Sequence, residues 1–136
     1  MRQTLRIRTP GRGLHEVTDS VRSAVRESDI DHGLCVVYLQ HTSASLVVQE
    51  NADPSARRDL EAFFDRIAPD GDPRYEHDAE GPDDMPAHIR AAITKTSETF
   101  LVDRGDLVLG TWQGIFLFEH RHRPHDRRLE VMVIRG

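Results

Sequence analysis

Leu34-Cys-Val-Val-Tyr-Leu-Gln40-His-Thr-Ser-Ala44-Ser-Leu-Val-Val-Gln49-Glu-Asn-Ala-Asp53-Pro54 decides the fold. Leu34 to Gln40 and Ala44 to Gln49 are rich in β-branched and apolar residues, and His41-Thr-Ser43 between them is polar. The pattern predicts two paired strands with a polar connection. Asn51-Ala-Asp53-Pro54 then closes the second strand and opens a helix. Asp53 can accept from the free N–H groups of a first turn, and Pro54 fits the first helical position, where no donor is needed.

Working outward, Ala56, Leu60, Phe63, Phe64 and Ile67 fall on one stripe of that helix, which ends at Pro69-Asp-Gly71. This stripe is expected to be core. Upstream, Gln3 to Thr9 alternates and stops at Pro10-Gly11, as a half-buried strand does. Val17, Val21, Ala24 and Val25 follow with helical spacing, Thr18 is the expected N-cap, and Gly33 lies beyond the end. Downstream, Pro69 to Pro86 is an acidic loop without apolar periodicity, carrying Tyr75 and His77. Loops above about 12–15 residues in a small domain are usually functional or disordered. Ala87 to Thr94 reads as a short helix. Ser97–Val102, Leu107–Trp112, Ile115–Phe118 and Leu129–Ile134 read as strands, with Asp103-Arg-Gly-Asp106 as a hairpin turn. Strands and helices do not alternate regularly, so the expected fold class is α+β, a single domain over residues 1–136 with a mostly antiparallel, sandwich-like sheet and about three helices.

Composition excludes several classes of function. The chain has 136 residues, 18 Lys+Arg and 23 Asp+Glu, hence a formal charge of −5. An acidic chain is a poor nucleic-acid module, because such affinity comes from a basic surface. No apolar run approaches the roughly 20 residues that cross a bilayer, and the N-terminus has no apolar leader, so the expected setting is cytoplasmic, with no membrane and no nucleic acid as partners. The one cysteine, Cys35, lies in an apolar run where a buried thiol is expected.

Eight histidines are available for proton transfer or metal binding. His41-Thr-Ser-Ala-Ser45 suits either a Ser nucleophile with a His base or an anion cradle, while hydroxyls bonded to turn backbone would explain it equally. Gly110-Thr-Trp-Gln-Gly114 places the only tryptophan beside an amide. Trp112 and Gln113 can form a pocket wall for a flat ring, or Trp112 can be a bulky core residue. Glu119-His-Arg-His-Arg-Pro-His-Asp-Arg-Arg128 is a basic stretch whose Arg121, Arg123, Arg127 and Arg128 could bind phosphate bidentately, or form a solvated hairpin tip. No Walker A or G-x-G-x-x-G loop occurs.

Taken together, His41-Thr-Ser-Ala44, Glu50-Asn-Ala-Asp-Pro54, Asp83-Asp-Met-Pro-Ala-His88, Gly105 with Gly110-Thr-Trp-Gln-Gly-Ile115, and Glu119-His-Arg121 resemble the YjbQ family, described as secondary thiamine-phosphate synthase proteins. The resemblance runs over nearly the whole chain. It implies a homotrimer with the motif residues gathered in a cleft near the subunit interface, and a weak synthase activity. In that reaction hydroxymethylpyrimidine diphosphate loses pyrophosphate and the thiazole phosphate nitrogen attacks the exocyclic carbon. The alternative is a non-catalytic or differently catalytic binder of a phosphorylated heterocyclic metabolite. Carried onto this chain, the resemblance places His41, Asn51, Asp84, Trp112, Gln113 and Glu119 as catalytic residues. It makes His41, His77 and His88 ligands of a divalent metal, Mg or Zn, with Asp84 or Glu119 beside them. Arg121, Arg123 and Arg128 become the phosphate-binding residues. Some relatives carry a His-x-His pair where this chain has Pro86-Ala-His88.

Overall fold

The alternating N-terminal run forms β1 (Arg2–Thr9), and the chain continues as β2 (Gly13–Glu16), α1 (Thr18–Glu27), β3 (Gly33–Leu39), β4 (Ala44–Glu50), α2 (Pro54–Ile67), α3 (Asp84–Ile93), β5 (Ser97–Asp103), β6 (Asp106–Leu107), β7 (Gln113–Glu119) and β8 (His125–Arg135). The computed structural model describes residues 1–136. Two antiparallel sheets form, one with strand order β1-β8-β3-β5-β6 and one with order β2-β7-β4. The fold is α+β with three helices, as the sequence pattern predicts.

The expected pairing of Leu34–Gln40 with Ala44–Gln49 does not occur. β3 pairs with β5 and β8, whereas β4 pairs with β7 in the other sheet. Burial explains the switch: Cys35, Val37 and Leu39 point into the same core as Ala44 and Leu46, so the two runs bury their apolar sides against each other across the layers. The polar link turns the chain from one sheet to the other, and the Ser43 carbonyl accepts from the His120 N–H at 3.2 Å. Between the sheets α1 contributes Val21, Ala24 and Val25, β7 contributes Ile115 and Leu117, and β8 contributes Leu129, Val131 and Val133, all essentially inaccessible. Each fully buried Val, Leu or Ile contributes about 1.5–3 kcal/mol.

β7 is covered on both faces. Phe116 and Phe118 point away from the main core toward Leu14, Leu60 and Phe64, and Phe64 meets Phe118 edge to face at 5.1 Å. The α2 stripe is therefore not the expected core. Leu60 and Phe64 are half-buried, Phe63 and Ile67 are 46% and 44% exposed, and the helix buries no residue completely. Its N-terminus does follow the sequence: the Asp53 carboxylate accepts from Ser55 N–H at 2.9 Å ahead of Pro54.

Other boundaries move for local reasons. Thr18 does not cap α1. Its hydroxyl donates to Glu16 at 2.8 Å and accepts from Ile115 N–H at 2.9 Å, satisfying a buried amide of the neighbouring strand. β2 escapes a periodicity reading because its four residues hold one large apolar side chain, Leu14. α3 begins at Asp84, since Pro86 in a first turn sacrifices no helical hydrogen bond. The Leu107–Trp112 strand shrinks to Asp106–Leu107, and the following turn is held by Gly110 N–H donating to the Gln113 side chain at 2.8 Å. Arg104 and Gly105 both take positive φ (53° and 73°) in the β5–β6 hairpin, as a two-residue primed turn requires. β8 reaches back to His125, so Arg127 and Arg128 lie in a strand and not at a hairpin tip. Cys35 is buried, and burial pushes its thiol up to about 11. No helix is long and apolar enough to cross a membrane.

Candidate metal centre and its arginine frame

The N-terminus of α3 meets the β7–β8 turn through carboxylates. Asp83 occupies the N-cap position yet makes no side-chain cap. Its Oδ2 instead accepts from Arg121 Nε at 3.2 Å and from His122 N–H at 2.9 Å. Arg121 Nη1 donates to Asp84 Oδ1 at 2.8 Å, and Nη2 donates to the Glu80 carbonyl at 2.9 Å. All three guanidinium nitrogens are thus engaged. Arg121 is a fixed strut between loop and helix and not the phosphate ligand the sequence suggested.

With Oδ1 of Asp84 held, Oδ2 faces two imidazoles. His77 Nε2 lies 2.6 Å away and His88 Nε2 lies 3.4 Å away. Asp84 and His88 share a helix face at i, i+4, while His77 arrives from the acidic loop. The ligand atoms of the three residues lie within 4.8 Å of one another. Asp84 is buried, His88 is half-exposed and His77 is exposed, so the cluster opens to solvent on the imidazole side. Burial alone would raise the Asp84 carboxyl. The His77 hydrogen bond and the charges of Arg121 and His88 outweigh it and hold the group below the usual range, ionised at neutral pH.

Glu119, expected to be catalytic or a ligand, is fully buried and saturated with donors. Oε1 accepts from Thr9 Oγ1 at 2.6 Å and Arg127 Nε at 2.7 Å. Oε2 accepts from His120 N–H, Arg121 N–H and Arg127 Nη2. No lone pair remains for a metal or a substrate, so Glu119 is a positioning residue that pins Arg127 and the Arg121 backbone. Desolvation raises its carboxyl, but the Arg127 and Thr9 hydrogen bonds dominate and leave it depressed.

His41 also departs from the ligand set. Its Nε2 accepts from Arg128 N–H at 3.0 Å and its Nδ1 faces Arg127 Nη1 at 3.4 Å. One ring nitrogen is taken by backbone and the other confronts a cation, so neither is free to coordinate. Burial, followed by the charges of Arg127 and Arg128, lowers its pKa and keeps the ring neutral. Arg123 and Arg128 are exposed, and neither makes an ion pair.

Asn51, Trp112 and Gln113 sit at the opposite end of the same sheet. Asn51 N–H donates to the Trp112 carbonyl at 3.0 Å, and its side-chain amide donates to Glu16 at 2.9 Å. A side chain at Gly114 would come within 2.7 Å of Glu16 and 2.8 Å of Asn51, so glycine permits this close packing. Trp112 is 62% exposed and is not a core residue. β7 runs seven residues from Gln113 to Glu119, which at about 3.3 Å per residue separates Gln113 from Glu119 by about 20 Å. Within one chain the expected single cleft is split in two.

The sequence reading missed the role of His120. It is fully buried, with Nε2 2.8 Å from Ser45 Oγ, which in turn accepts from Thr94 Oγ1 at 2.6 Å. Ser45 is therefore sealed in the interior and unavailable as a nucleophile. Burial first, and then the charge of Arg90, push the His120 pKa down to about 3. The unfolded chain protonates this ring near 6.5, so the neutral ring's contribution is complete above that pH and disappears as pH falls toward 3, by several kcal/mol in order of magnitude. We expect the urea midpoint to fall between about pH 7.5 and pH 4.5, and the fall to shrink in His120→Gln. An unchanged fall would assign the acid sensitivity to groups other than His120.

Comparison with known proteins places the whole chain in a recognised group. A family model described as "UPF0047 protein YjbQ-like" matches residues 3–136. The UPF0047 protein sll1880 of Synechocystis is 51% identical over 96% of this chain and 89% of its own length. The UPF0047 protein YjbQ of Escherichia coli O157:H7 is 45% identical over 98% and 96%. Among solved structures, the hypothetical protein APE1520 of Aeropyrum pernix superposes with a TM-score of 0.90 at 27% identity, covering 100% of this chain and 99% of that one.

Proposed function

This chain belongs to the UPF0047 family of YjbQ-like proteins, and from that premise we propose that His77, Asp84 and His88 hold a divalent metal at a site for a phosphorylated heterocyclic small molecule. The observation that carries the proposal is the convergence of two imidazoles and one buried carboxylate, with the second carboxylate oxygen fixed by Arg121. Nitrogen ligands suit zinc better than magnesium, which prefers oxygen. Three protein ligands also leave a position open, as in catalytic zinc sites. When bound, such an ion supplies Lewis-acid charge to a phosphoryl oxygen.

The reaction we assign is the thiamine phosphate synthase type, in which the diphosphate of hydroxymethylpyrimidine diphosphate departs and the thiazole phosphate nitrogen bonds to the exocyclic carbon. Arg121 orients Asp84 and keeps it charged. The exposed Trp112 indole offers a flat wall for the pyrimidine, with the Gln113 amide beside it. Because Trp112 and Gln113 lie at the far end of β7, about 20 Å along the strand from Glu119, we assign them to the site of a neighbouring copy in a homotrimer. An uncovered sheet face is suited to that contact: Leu34, Tyr38, Leu101, Met132 and Ile134 are 39–61% exposed on the outer side of β3, β5 and β8. Sedimentation equilibrium is expected to give about three times 15.5 kDa, with Ile134→Asp shifting the mass toward monomer. A concentration-independent monomer in the unsubstituted protein would remove the shared site. The buried free thiol of Cys35 fits a cytoplasmic setting.

One observation favours a second reading, a receptor for the same class of metabolite without turnover. The guanidiniums of Arg121 and Arg127 are already paired with carboxylates, which leaves few cations to stabilise a departing diphosphate. The deciding experiment measures thiamine phosphate formation from the two phosphorylated precursors with zinc and with a chelator, in the unsubstituted protein and in folded His88→Ala. Zinc-dependent product lost in His88→Ala supports the synthase. Absence of product from both proteins, with ligand binding retained, replaces it with the receptor.

A further inference from the structure

His41 is held between two donors. Its Nε2 lies 3.0 Å from Arg128 N–H and its Nδ1 lies 3.4 Å from Arg127 Nη1. A neutral imidazole has one acceptor nitrogen and one N–H, and an imidazolium has no acceptor at all. Whichever tautomer is present, one of these contacts brings two donors face to face. The Arg128 amide is the fixed partner, so the proton lies on Nδ1 and points toward the guanidinium.

Arg127 cannot turn away. It is 4% exposed, and its Nε and Nη2 are locked onto Glu119 and Ser43, leaving Nη1 directed at the imidazole. An oxygen atom that accepts from both Nδ1–H and Nη1–H removes the conflict. An anionic oxygen does so best, because charge-assisted bonds are roughly twice as strong as neutral ones.

Charge around the pair selects the same class of ligand. Arg128 lies directly opposite Arg6 across the β1–β8 ladder. Since the Arg128 N–H points to His41, this is the close, non-hydrogen-bonded kind of pair, where like charges repel. The neighbouring arginines are neutralised, Arg2 by Glu130 and Arg8 by Asp126, whereas Arg6 and Arg128 make no ion pair. The groups acting on His41 are Arg127, Arg128 and His125, opposed by Glu119, whose charge Arg127 already balances.

We propose that His41 Nδ1–H and Arg127 Nη1–H form an oxyanion site for a phosphoryl group, with the charge of Arg128, whose side chain leaves the other face of β8, adding to the attraction. This deepens the reading above by assigning the place of the ligand's phosphate, and it makes His41 a phosphate donor where a metal ligand was expected.

The test is titration of inorganic pyrophosphate into zinc-loaded and metal-free protein, comparing the unsubstituted chain with His41→Ala and Arg128→Ala, each with its zinc content measured. We expect about a tenfold or larger loss of affinity in His41→Ala and a severalfold loss in Arg128→Ala, zinc content being unchanged. Nitrogen-15 NMR of the unsubstituted protein is expected to keep His41 protonated at Nδ1 and to move that signal saturably with pyrophosphate. Equal affinity in all variants, or a His41 signal that does not move, overturns the site. Failure of zinc to bind would sink the metal centre alone, because metal-free protein is expected to bind pyrophosphate through these donors.

Discussion

Arg127→Met is expected to lower stability by about 3–5 kcal/mol, the cost of leaving a buried carboxylate without its cation. Glu119 is wholly inaccessible and Arg127 is 4% exposed. Removal of the guanidinium leaves the carboxylate with the Thr9 hydroxyl and two backbone N–H groups. For a chain of this length the melting temperature is expected to drop by about 10–15 °C. The double variant Glu119→Gln with Arg127→Met discriminates pairing from packing. Gln keeps its carbonyl oxygen for the two amides, can donate its NH2 to the Thr9 hydroxyl, and carries no charge, so the double variant is expected to recover at least half of the loss. A double variant as unstable as the sum of its parts would place the effect in side-chain packing.

The other large effect concerns the metal. His88→Ala is expected to reduce zinc affinity by about 100-fold or more, since losing a group that only orients a ligand already costs about 10–100-fold and His88 is proposed as a direct ligand. Stability of the metal-free protein is expected to change little, because His88 is half-exposed and its ring contacts are Asp84 and the edge of His77 at 5.2 Å. Chelator-competition titration measures the affinity. Retention of unsubstituted affinity in His88→Ala would require a different set of ligands.

Three members of the candidate cluster, His77, Asp84 and His88, are legible from residue chemistry and resemblance, together with His41 and Glu119, which the fold places elsewhere. His77 stands out in a loop that a plain linker would not need to furnish, whereas the shared helix face of Asp84 and His88 appears only once α3 is seen to begin at Asp84 and not at Ala87. Tertiary partners were not legible. That His41 and Glu119 are consumed by Arg127 depends on β8 running beside β1 and β3, a pairing between residues more than 80 positions apart. Nor could local pattern assign Leu34–Leu39 and Ala44–Glu50 to different sheets, because two apolar runs joined by a short polar link read the same whether they pair or stack. The α2 stripe misled for a related reason. Period gives the face of a helix that is apolar, but the amount of sheet beneath it decides whether Phe63 and Ile67 are covered. Glu119-His-Arg121 was informative as a motif and misleading residue by residue, since Glu119 and Arg121 frame the site and His120 lies in the core.

The most direct test of the metal centre is anomalous scattering at the zinc edge from crystals of the zinc-loaded protein. We expect one strong peak per chain at about 2.0–2.2 Å from a nitrogen of His77, a nitrogen of His88 and an oxygen of Asp84. A peak elsewhere, or none at these three residues with zinc in excess, would contradict the assignment.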